Sequence, residues 1–284
     1  MDSILSLAQN KISVITPSYN QLSFLKRCCA SVADQSVHCE HIIIDGGSTD
    51  GTIEWLGQQN RVRWISEPDH GMYDAINKGF AMARGGIVAY LNCDEQYLPE
   101  SLVDIEIAFA CHPGVDIVYG NALLIRPDGM LAAFRKSYPL RWCYVVTSHL
   151  YVLSCTTFFR KTLLSKCGGY DISWRDVGDA DLILRALRGG ACTLQISRYL
   201  SVFTICKENR SAGSLAKAER RQLTCRAPIW VRALSPIINL FRFFEKAMSG
   251  AFWQSWPLHY KVYVGSLRER TQMSANKVSF RWPR

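Results

Sequence analysis

The residues best suited to catalysis are concentrated in four short polar segments, each of which directly follows an apolar run of the chain. These segments are Thr16-Pro17-Ser18-Tyr19-Asn20, Asp45-Gly46-Gly47-Ser48, Glu67-Pro68-Asp69 and Asn92-Cys93-Asp94-Glu95. If the apolar runs are strands of one parallel sheet, the segments meet at its carboxyl edge, where such sheets bind ligands. Helix N-capping also explains Asp50 and Asp69. It explains Asp94 and Glu95 less well, because Pro99 is the better helix start.

The acidic character of these segments favours a divalent cation over direct phosphate binding. The chain has no G-x-x-x-x-G-K-[ST] loop, and Gly46-Gly47 lacks the third glycine of a dinucleotide-binding fingerprint. Mg²⁺ and Mn²⁺ prefer carboxylate oxygens and the phosphates of substrates as ligands. The residues alone therefore predict a site for a metal-bound nucleotide.

The elements that must position these segments alternate between strand and helix. Short apolar runs at residues 11–16, 41–44, 62–66 and 87–91 predict strands. The stretches between them carry apolar residues at steps of three to four, which predicts helices. This alternation is typical of an α/β fold in which helices cover both faces of a parallel sheet.

The charge of the chain is divided unevenly along its 284 residues. The net charge is +9, but residues 200–284 hold 15 Lys and Arg against four Asp and Glu, so the rest of the chain is near neutral. A content of 48% hydrophobic and 20% charged residues excludes long disorder. The eleven cysteines have irregular spacings and no C-x-x-C pair, which predicts reduced, mostly buried thiols in a cytosolic protein.

Four segments of the chain resemble, in order and spacing, the family 2 glycosyltransferases of the GT-A fold, particularly bacterial members that build surface polysaccharides. They read ISVITPSYNQL, IIIDGGSTDGT, SEPDHGMYDAINKGF and VAYLNCDEQYLP. The resemblance implies a catalytic domain at residues 1–200 with a Rossmann-like, mostly parallel sheet. Its nucleotide-sugar half is expected at about 11–100 and its acceptor half at about 115–200. The implied reaction is an inverting transfer of a sugar from a nucleoside-diphosphate-sugar to an acceptor hydroxyl, assisted by Mn²⁺ or Mg²⁺.

The resemblance also assigns donor-side roles to individual residues. Those expected at the nucleoside, at the diphosphate or in the loops that shape their pocket are Thr16, Pro17, Tyr19, Asp45, Gly46, Gly47, Ser48, Asp69, Asp74, Asn77, Lys78, Asn92 and Cys93. Asp45 is expected to hydrogen-bond the base, and Asp94 and Glu95 to bind the metal. Asn92 and Glu95 stand where many relatives have Asp, which affects metal affinity more than the overall reaction.

A late acidic segment, GGYDISWRDVGDADLILRAL, resembles the part of the family that supplies the base. Inversion by single displacement needs a carboxylate that takes the proton of the acceptor hydroxyl. The resemblance favours Asp179 for this role, with Asp176 and Asp181 in reserve. The structural alternatives are a helix N-cap for Asp179 and an ion pair with Arg185, four residues on, for Asp181.

The acceptor implied by the resemblance is a glycan, in particular one linked to a polyprenyl lipid. Trp174 is expected to stack on a sugar, with packing in the core as the alternative, and Thr156 is expected on the strand that lines the acceptor pocket. Two other functions stay open: a member of this fold that binds nucleotide-sugar or glycan without turnover, and a nucleic-acid-binding protein. No helix-turn-helix, zinc-finger or RNP motif supports the latter, so no nucleic-acid partner is expected.

Residues 201–284 are predicted to form a helical, basic and aromatic extension. One face of a helix carries apolar residues from Ile237 to Met248, a polar stripe lies opposite, and Trp253 and Trp256 follow. Basic residues beside such a face are typical of interfacial helices on anionic membranes. The prediction is a cytoplasmic protein attached peripherally to the inner face of the plasma membrane. A helix pair packed on the body and a contact in a homo-oligomer are the alternatives.

Overall fold

A large sheet organises the molecule, and its first four strands are parallel. The computed structural model describes residues 11–206 and 214–282. These strands are β1 (Ile12–Ser18), β2 (Glu40–Asp45), β3 (Arg63–Ser66) and β4 (Ile87–Tyr90), paired in the order β3-β2-β1-β4. The helices between them are α1 (Leu22–Ala33), α2 (Thr52–Leu56) and α3 (Met72–Met82). The predicted alternation of strand and helix is confirmed in this half.

The second half adds strands of mixed direction at the other side of β4. These strands are β5 (Gln96–Tyr97), β6 (Ile117–Ile125), β7 (Leu131–Arg135), β8 (Thr157–Arg160) and β9 (Thr193–Thr204). The sheet continues in the order β4-β8-β6-β9-β5, and β7 also pairs with β6. The accompanying helices are α4 (Ser101–Cys111), α5 (Trp142–Thr147), α6 (Lys161–Cys167) and α7 (Gly178–Arg188), with a 3₁₀ turn at Ser154–Thr156. The fold is the expected α/β class: the four parallel strands are extended by antiparallel pairs and by the parallel pair of β6 and β9.

Alternate residues of the buried strands point to opposite faces of the sheet, and helices cover both faces. On one face, strand residues pack with α3 and α7; this cluster includes Ile15, Ile44, Val88, Tyr73, Ile76 and Ile183. On the other face, strand residues pack with α1 and α4; this cluster includes Val14, Ile87, Ala89, Cys28, Val32 and Leu102. Burial on both faces explains why the strands read as continuous apolar runs.

The C-terminal extension is not purely helical, which corrects the prediction for residues 201–284. Its helices are α8 (Ser214–Cys225), α9 (Ile229–Ala233) and α10 (Ser235–Met248), and an antiparallel hairpin of β10 (Leu258–Val262) and β11 (Thr271–Ala275) follows. The expected boundary at residue 200 falls inside β9, a strand within the main sheet. Residues 207–213 of the extension lie outside the described residues. None of the helices in the described ranges has the length and apolarity needed to cross a bilayer.

Candidate active site

A cavity of about 1420 Å³ opens where β1 and β4 end. The residues expected at the site that line it are Pro17, Tyr19, Asp69, Asn92, Cys93, Asp94, Asp176 and Asp179. Those that do not line it are Thr16, Asp45, Gly46, Gly47, Ser48, Asp74, Asn77, Lys78, Glu95, Thr156, Trp174 and Asp181. The fold therefore brings residues from distant parts of the chain together at one cavity. The other residues expected to contact ligand lie outside the cavity lining.

Asp45 is buried and organises its own loop, which differs from the expected contact with a base. Its carboxylate accepts hydrogen bonds from the backbone N–H groups of Gly47 (3.1 Å) and Ser48 (2.9 Å). It also accepts from the hydroxyls of Ser48 (2.5 Å) and Ser66 (2.7 Å). The Ser48 hydroxyl in turn accepts the N–H of Asn20 (2.8 Å). With four donors already bonded, the Asp45 carboxylate fixes the loop that follows β2.

Gly46 allows Asp69 and Tyr19 to approach each other at the cavity wall. A Cβ atom built on Gly46 would lie 2.8 Å from Asp69 Oδ2 and 3.3 Å from Tyr19 Cδ2. Ser18, at the end of β1, also lines the cavity, and its buried hydroxyl has no hydrogen-bond partner among the described residues. Thr16 lies deeper, where its hydroxyl bonds His41 Nε2 at 2.9 Å. This side of the cavity therefore combines a tyrosine ring, a carboxylate and an unbonded hydroxyl.

The turn after β4 directs its two adjacent carboxylates to different places. Glu95 is fully buried, accepts the N–H of Asn92 at 2.8 Å and donates its own N–H to the Asn92 carbonyl at 3.0 Å. It does not line the cavity, which corrects its expected role as a metal ligand. Asp94 does line the cavity, and burial raises the pKa of its carboxyl to about 6. Burial and the charge of Asp94 raise the pKa of Glu95 well above its usual range.

Asp94 is a suitable metal ligand only together with a substrate. Mg²⁺ is commonly bound through one or two carboxylates and the phosphates of the substrate. The Asp94 carboxylate, beside Asn92 at the cavity, fits that donor set. Within residues 11–206 and 214–282, no group of three His, Cys, Asp or Glu side chains is placed to hold an ion by itself. The arrangement fits a cation that enters with a diphosphate.

The three residues of helix α3 that are expected to border the diphosphate do not line the cavity. They make contacts that support its wall. Lys78 forms ion pairs with Glu67 (2.8 Å) and Asp74 (3.5 Å) at the surface. Asn77 bonds the backbone of Tyr170 in both directions, at 2.8 and 2.9 Å. These contacts are structural, and the expected contacts of Asp74, Asn77 and Lys78 with the diphosphate stay predictions.

Asp179 is held at the cavity wall by two tyrosines. The Tyr90 hydroxyl donates to Asp179 Oδ1 at 2.6 Å, and the Asp179 N–H donates to the Tyr73 hydroxyl at 3.3 Å. Burial raises the pKa of Asp179 to about 6, and the hydrogen bond from Tyr90 acts in the opposite direction. Asp179 lies in the first turn of α7 and Val177 occupies the N-cap position, so the capping alternative is wrong.

The two reserve candidates for the base differ in their surroundings. Asp176 lines the cavity, in the loop before α7. Asp181 lies outside it and pairs with Arg185 at 2.7 Å, which confirms the predicted ion pair.

Glu219 of α8 holds the loop that precedes α7, a role that no motif in the sequence indicates. Its carboxylate accepts the backbone N–H groups of Arg175 (2.8 Å), Asp176 (2.9 Å) and Val177 (3.1 Å). Three adjacent N–H groups bonded by one carboxylate fix the loop firmly. A residue of the C-terminal extension thus positions the segment that leads to Asp179.

Neither residue expected to bind the acceptor reaches the cavity. Trp174 is buried, and the Arg226 guanidinium covers its ring at 4.7 Å, so the packing alternative is the observed one. Thr156 is buried, with its hydroxyl bonded to the carbonyl of Leu153 at 3.0 Å.

The cavity wall opposite the acidic segments is largely apolar. Residues of α5, α7, α8 and the segment between α5 and β8 form it, among them Val145, Val146, Leu150, Val152, Ala180 and Leu223. His149 also lines this wall, and burial lowers its pKa to about 4, so it is neutral at physiological pH. The cavity therefore has an acidic, polar side and an apolar side.

Fold and site together define a glycosyltransferase of the GT-A type. The chain belongs to glycosyl transferase family 2, whose family model matches residues 13–167. It is 32% identical over 182 residues to an uncharacterized glycosyltransferase of Mycobacterium tuberculosis, covering 62% of this chain and 68% of the relative. A PGL/p-HBAD biosynthesis glycosyltransferase of Mycobacterium bovis is 26% identical over 259 residues, covering 86% of this chain and 95% of the relative.

Solved structures have the same fold at low sequence identity. Residues 1–349 of S. aureus TarS in complex with UDP-GlcNAc match with a TM-score of 0.61 and 13% identity, covering 95% of this chain and 100% of that chain. This chain spans 60% of the longer TarS structure. Mannosyltransferase PcManGT from Pyrobaculum calidifontis, in complex with GDP-Man and Mn²⁺, matches with a TM-score of 0.55 and 17% identity, covering 84% of this chain and 73% of that chain.

Proposed function

We propose that this protein transfers a sugar from a nucleoside-diphosphate-sugar to a hydroxyl of a glycan acceptor, with inversion at the sugar carbon and Asp179 as the base. The observation that carries the proposal is the carboxylate of Asp179 at the cavity wall, bonded by Tyr90 at 2.6 Å and with a pKa of about 6. A base with this pKa is charged at neutral pH and strong enough to accept a proton during catalysis.

The donor occupies the acidic side of the cavity in this proposal. Pro17, Tyr19 and Asp69 line the part that receives the nucleoside, and the free hydroxyl of Ser18 offers a further hydrogen bond. Asp94 holds Mn²⁺ or Mg²⁺ together with the diphosphate. Such a cation, when bound, neutralises charge that develops on the departing diphosphate. The support from relatives is the binding of UDP-GlcNAc by TarS and of GDP-Man and Mn²⁺ by PcManGT.

The chain's own residues perform the proton transfer. Tyr90 occupies Oδ1 of Asp179, which leaves Oδ2 to accept the proton of the acceptor hydroxyl. As the oxygen of the acceptor hydroxyl bonds the anomeric carbon from the face opposite the diphosphate, the bond between that carbon and the diphosphate breaks. The configuration at the anomeric carbon therefore inverts. The Glu219 contacts keep the loop before α7 fixed, so that Asp179 does not have to be ordered when substrate binds.

The acceptor is proposed to be a lipid-linked glycan in bacterial surface polysaccharide biosynthesis, used at the inner face of the plasma membrane. The apolar wall formed by α5 and α8 suits an acceptor with an apolar portion.

The proposal is tested by replacing Asp179 and Asp176 separately with Asn. We expect Asp179→Asn to lower kcat for hydrolysis of UDP-GlcNAc or GDP-mannose with Mn²⁺ by about 10²–10⁴-fold, because proton transfer is lost. The affinity for UDP or GDP with Mn²⁺, measured by calorimetry, should stay within about twofold of wild type. Asp176→Asn is the matched control from the same loop. Loss of activity only in the Asp176 variant would move the base there.

A protein that binds donor without turning it over is the second candidate, motivated by the burial of Glu95 away from the cavity. It predicts nucleotide-sugar binding with no hydrolysis in the wild type. Hydrolysis that depends on Asp179 excludes it.

A further inference from the structure

The longest helix of the extension is attached to the body by its polar side. On α10, Asn239 donates to the carbonyl of Thr147 at 3.3 Å, and Arg242 donates to the Tyr138 hydroxyl at 3.0 Å. Glu245 pairs with Arg141 at 2.6 Å. Ile238 also packs against the core, but most apolar residues of α10 lie elsewhere. An ordinary surface helix instead buries its apolar stripe against the core.

The apolar side of α10 consequently faces away from the body. Ile237, Leu240, Phe241, Phe244 and Met248 share this side, because they lie three or four residues apart. Their side chains are 52–88% exposed. We call these five residues the outer face. Helix α9 and the segment after α10 add further exposed apolar side chains, namely Ile229, Trp230, Leu234 and Trp253. Exposed apolar side chains concentrated on neighbouring elements of the surface indicate an interaction site.

The charges around the outer face identify its partner. Residues 214–248 contain seven Lys and Arg but only two Glu. Both Glu side chains are engaged toward the body, Glu219 with the loop before α7 and Glu245 with Arg141. Several basic side chains of α8 and α9 are instead exposed to solvent, among them Lys217, Arg221 and Arg232. From this combination we infer that the outer face inserts into the interfacial region of an anionic lipid bilayer, with the basic side chains at the lipid headgroups.

A second copy of the chain fits these charges less well. In a twofold-symmetric dimer the same patch occupies both sides of the interface. The basic residues of one copy would then meet those of the other, and the described parts of α8 to α10 offer no exposed acidic side chain to compensate. An anionic membrane supplies the opposite charge.

The outer face is connected to the active-site cavity through one helix. α10 packs on α5, and Val145 and Val146 of α5 line the apolar wall of the cavity. A bilayer on the outer face therefore lies on the far side of α5 from the acceptor part of the cavity. For the acceptor, this inference rests on the proposed function. The membrane attachment itself does not depend on it.

The experiment is sedimentation of the full chain with vesicles of phosphatidylcholine alone and with about one-third phosphatidylglycerol, at low and high salt. We expect binding to the anionic vesicles that weakens with salt. The double variant Leu240→Glu/Phe241→Glu should weaken it at least about tenfold, because two charges enter the apolar layer. Ile107→Glu is the matched control, since Ile107 on α4 is also 55% exposed but lies outside the extension. It should bind like the wild type.

A second measurement requires no variant. Insertion should shift the tryptophan emission to shorter wavelength, and brominated lipids should quench it, because Trp230 and Trp253 are exposed in the lipid-free protein. Absence of both binding and quenching at low salt would overturn the inference. A lipid-free dimer that Leu240→Glu/Phe241→Glu separates would also overturn it, since the face would then be a contact between copies.

Donor hydrolysis separates this inference from the proposed function. We expect the Leu240→Glu/Phe241→Glu variant to hydrolyse UDP-GlcNAc or GDP-mannose at the wild-type rate with Mn²⁺. A wild type that binds anionic vesicles but hydrolyses neither donor, nor any of a wider panel, would contradict the proposed function and leave the membrane inference standing.

Discussion

Removal of the Tyr90 hydroxyl should shift the pH dependence of catalysis in a defined direction. Tyr90 donates a 2.6 Å hydrogen bond to Asp179, and this bond stabilises the charged carboxylate. Tyr90→Phe therefore raises the pKa of Asp179 from its value of about 6. A hydrogen bond to a charged group contributes about 1.5–3 kcal/mol, and one pKa unit corresponds to about 1.4 kcal/mol. The expected shift is at least about one unit.

The sign follows from the role of the base. Asp179 must be charged to accept a proton, so kcat/KM falls as the pH drops through its pKa. With the pKa moved up by about one unit, the variant should lose about fivefold in kcat/KM at about pH 6 and almost nothing at about pH 8. The assay is donor hydrolysis with Mn²⁺ across this range, expressed as the ratio of variant to wild type. The titration of Asp94 is common to both proteins and cancels in this ratio.

Tyr97→Phe is the matched control. Tyr97 is fully buried, and its hydroxyl has no hydrogen-bond partner among the described residues. Its removal should leave the pH profile of kcat/KM unchanged. A Tyr90→Phe ratio that is flat across the pH range would refute the link between Tyr90 and the base, even if overall activity fell.

Three further predictions concern the rest of the site. Asp94→Asn should reduce Mn²⁺-dependent UDP or GDP binding and donor hydrolysis by orders of magnitude, as EDTA should in the wild type; full activity in EDTA would remove the metal from the proposal. Gly46→Ala should raise KM for the donor about tenfold with a smaller effect on kcat, because the new Cβ lies 2.8 Å from Asp69 Oδ2; an unchanged KM would place the donor elsewhere. Glu219→Gln should cost about 1–3 kcal/mol in the free energy of unfolding, because an amide group replaces one acceptor oxygen for three backbone N–H groups; thermal denaturation measures this, and an unchanged midpoint would contradict it.

The parallel half of the fold was predictable because its signals are local. Apolar runs that end in polar turns predicted β1 to β4. Because ligands bind at the carboxyl ends of parallel strands, the residues that follow these strands, among them Pro17, Asp69 and Asp94, were expected at one cavity, and they line it. The amphipathic pattern of residues 237–248 also predicted a helix, and α10 confirms it. The antiparallel pairing of β8 with β6 was not predictable from such patterns, because pairing between distant strands leaves no periodic signal in either strand.

The direction of individual side chains was the main source of error at the site. Asp94 and Glu95 are adjacent acids in the turn after β4, yet one lines the cavity and the other is buried. The direction of each side chain in a turn depends on the backbone geometry of that turn, which the residue types alone do not give. The resemblance assigns the carboxylate of Asp45 to the base, and the structure shows this carboxylate bonded by Ser48 of its own loop and by Ser66 of β3. Glu219 was overlooked because its three partners lie more than 40 residues away, in a loop whose proximity only the fold creates.

The threading of the sheet has a consequence for the order in which the chain can fold. β5, at residues 96–97, pairs with β9, whose pairing residues are 201 and 202. β5 therefore stays unpaired until more than a hundred further residues have been synthesised. Contacts of such long sequence separation form late, because loop closure must precede them. The first hundred residues thus contain most of the donor-side wall but cannot complete it as an autonomous unit. A chain that stalls before β9 leaves β5 and the β9-facing edge of β6 unpaired, and unpaired strand edges promote aggregation.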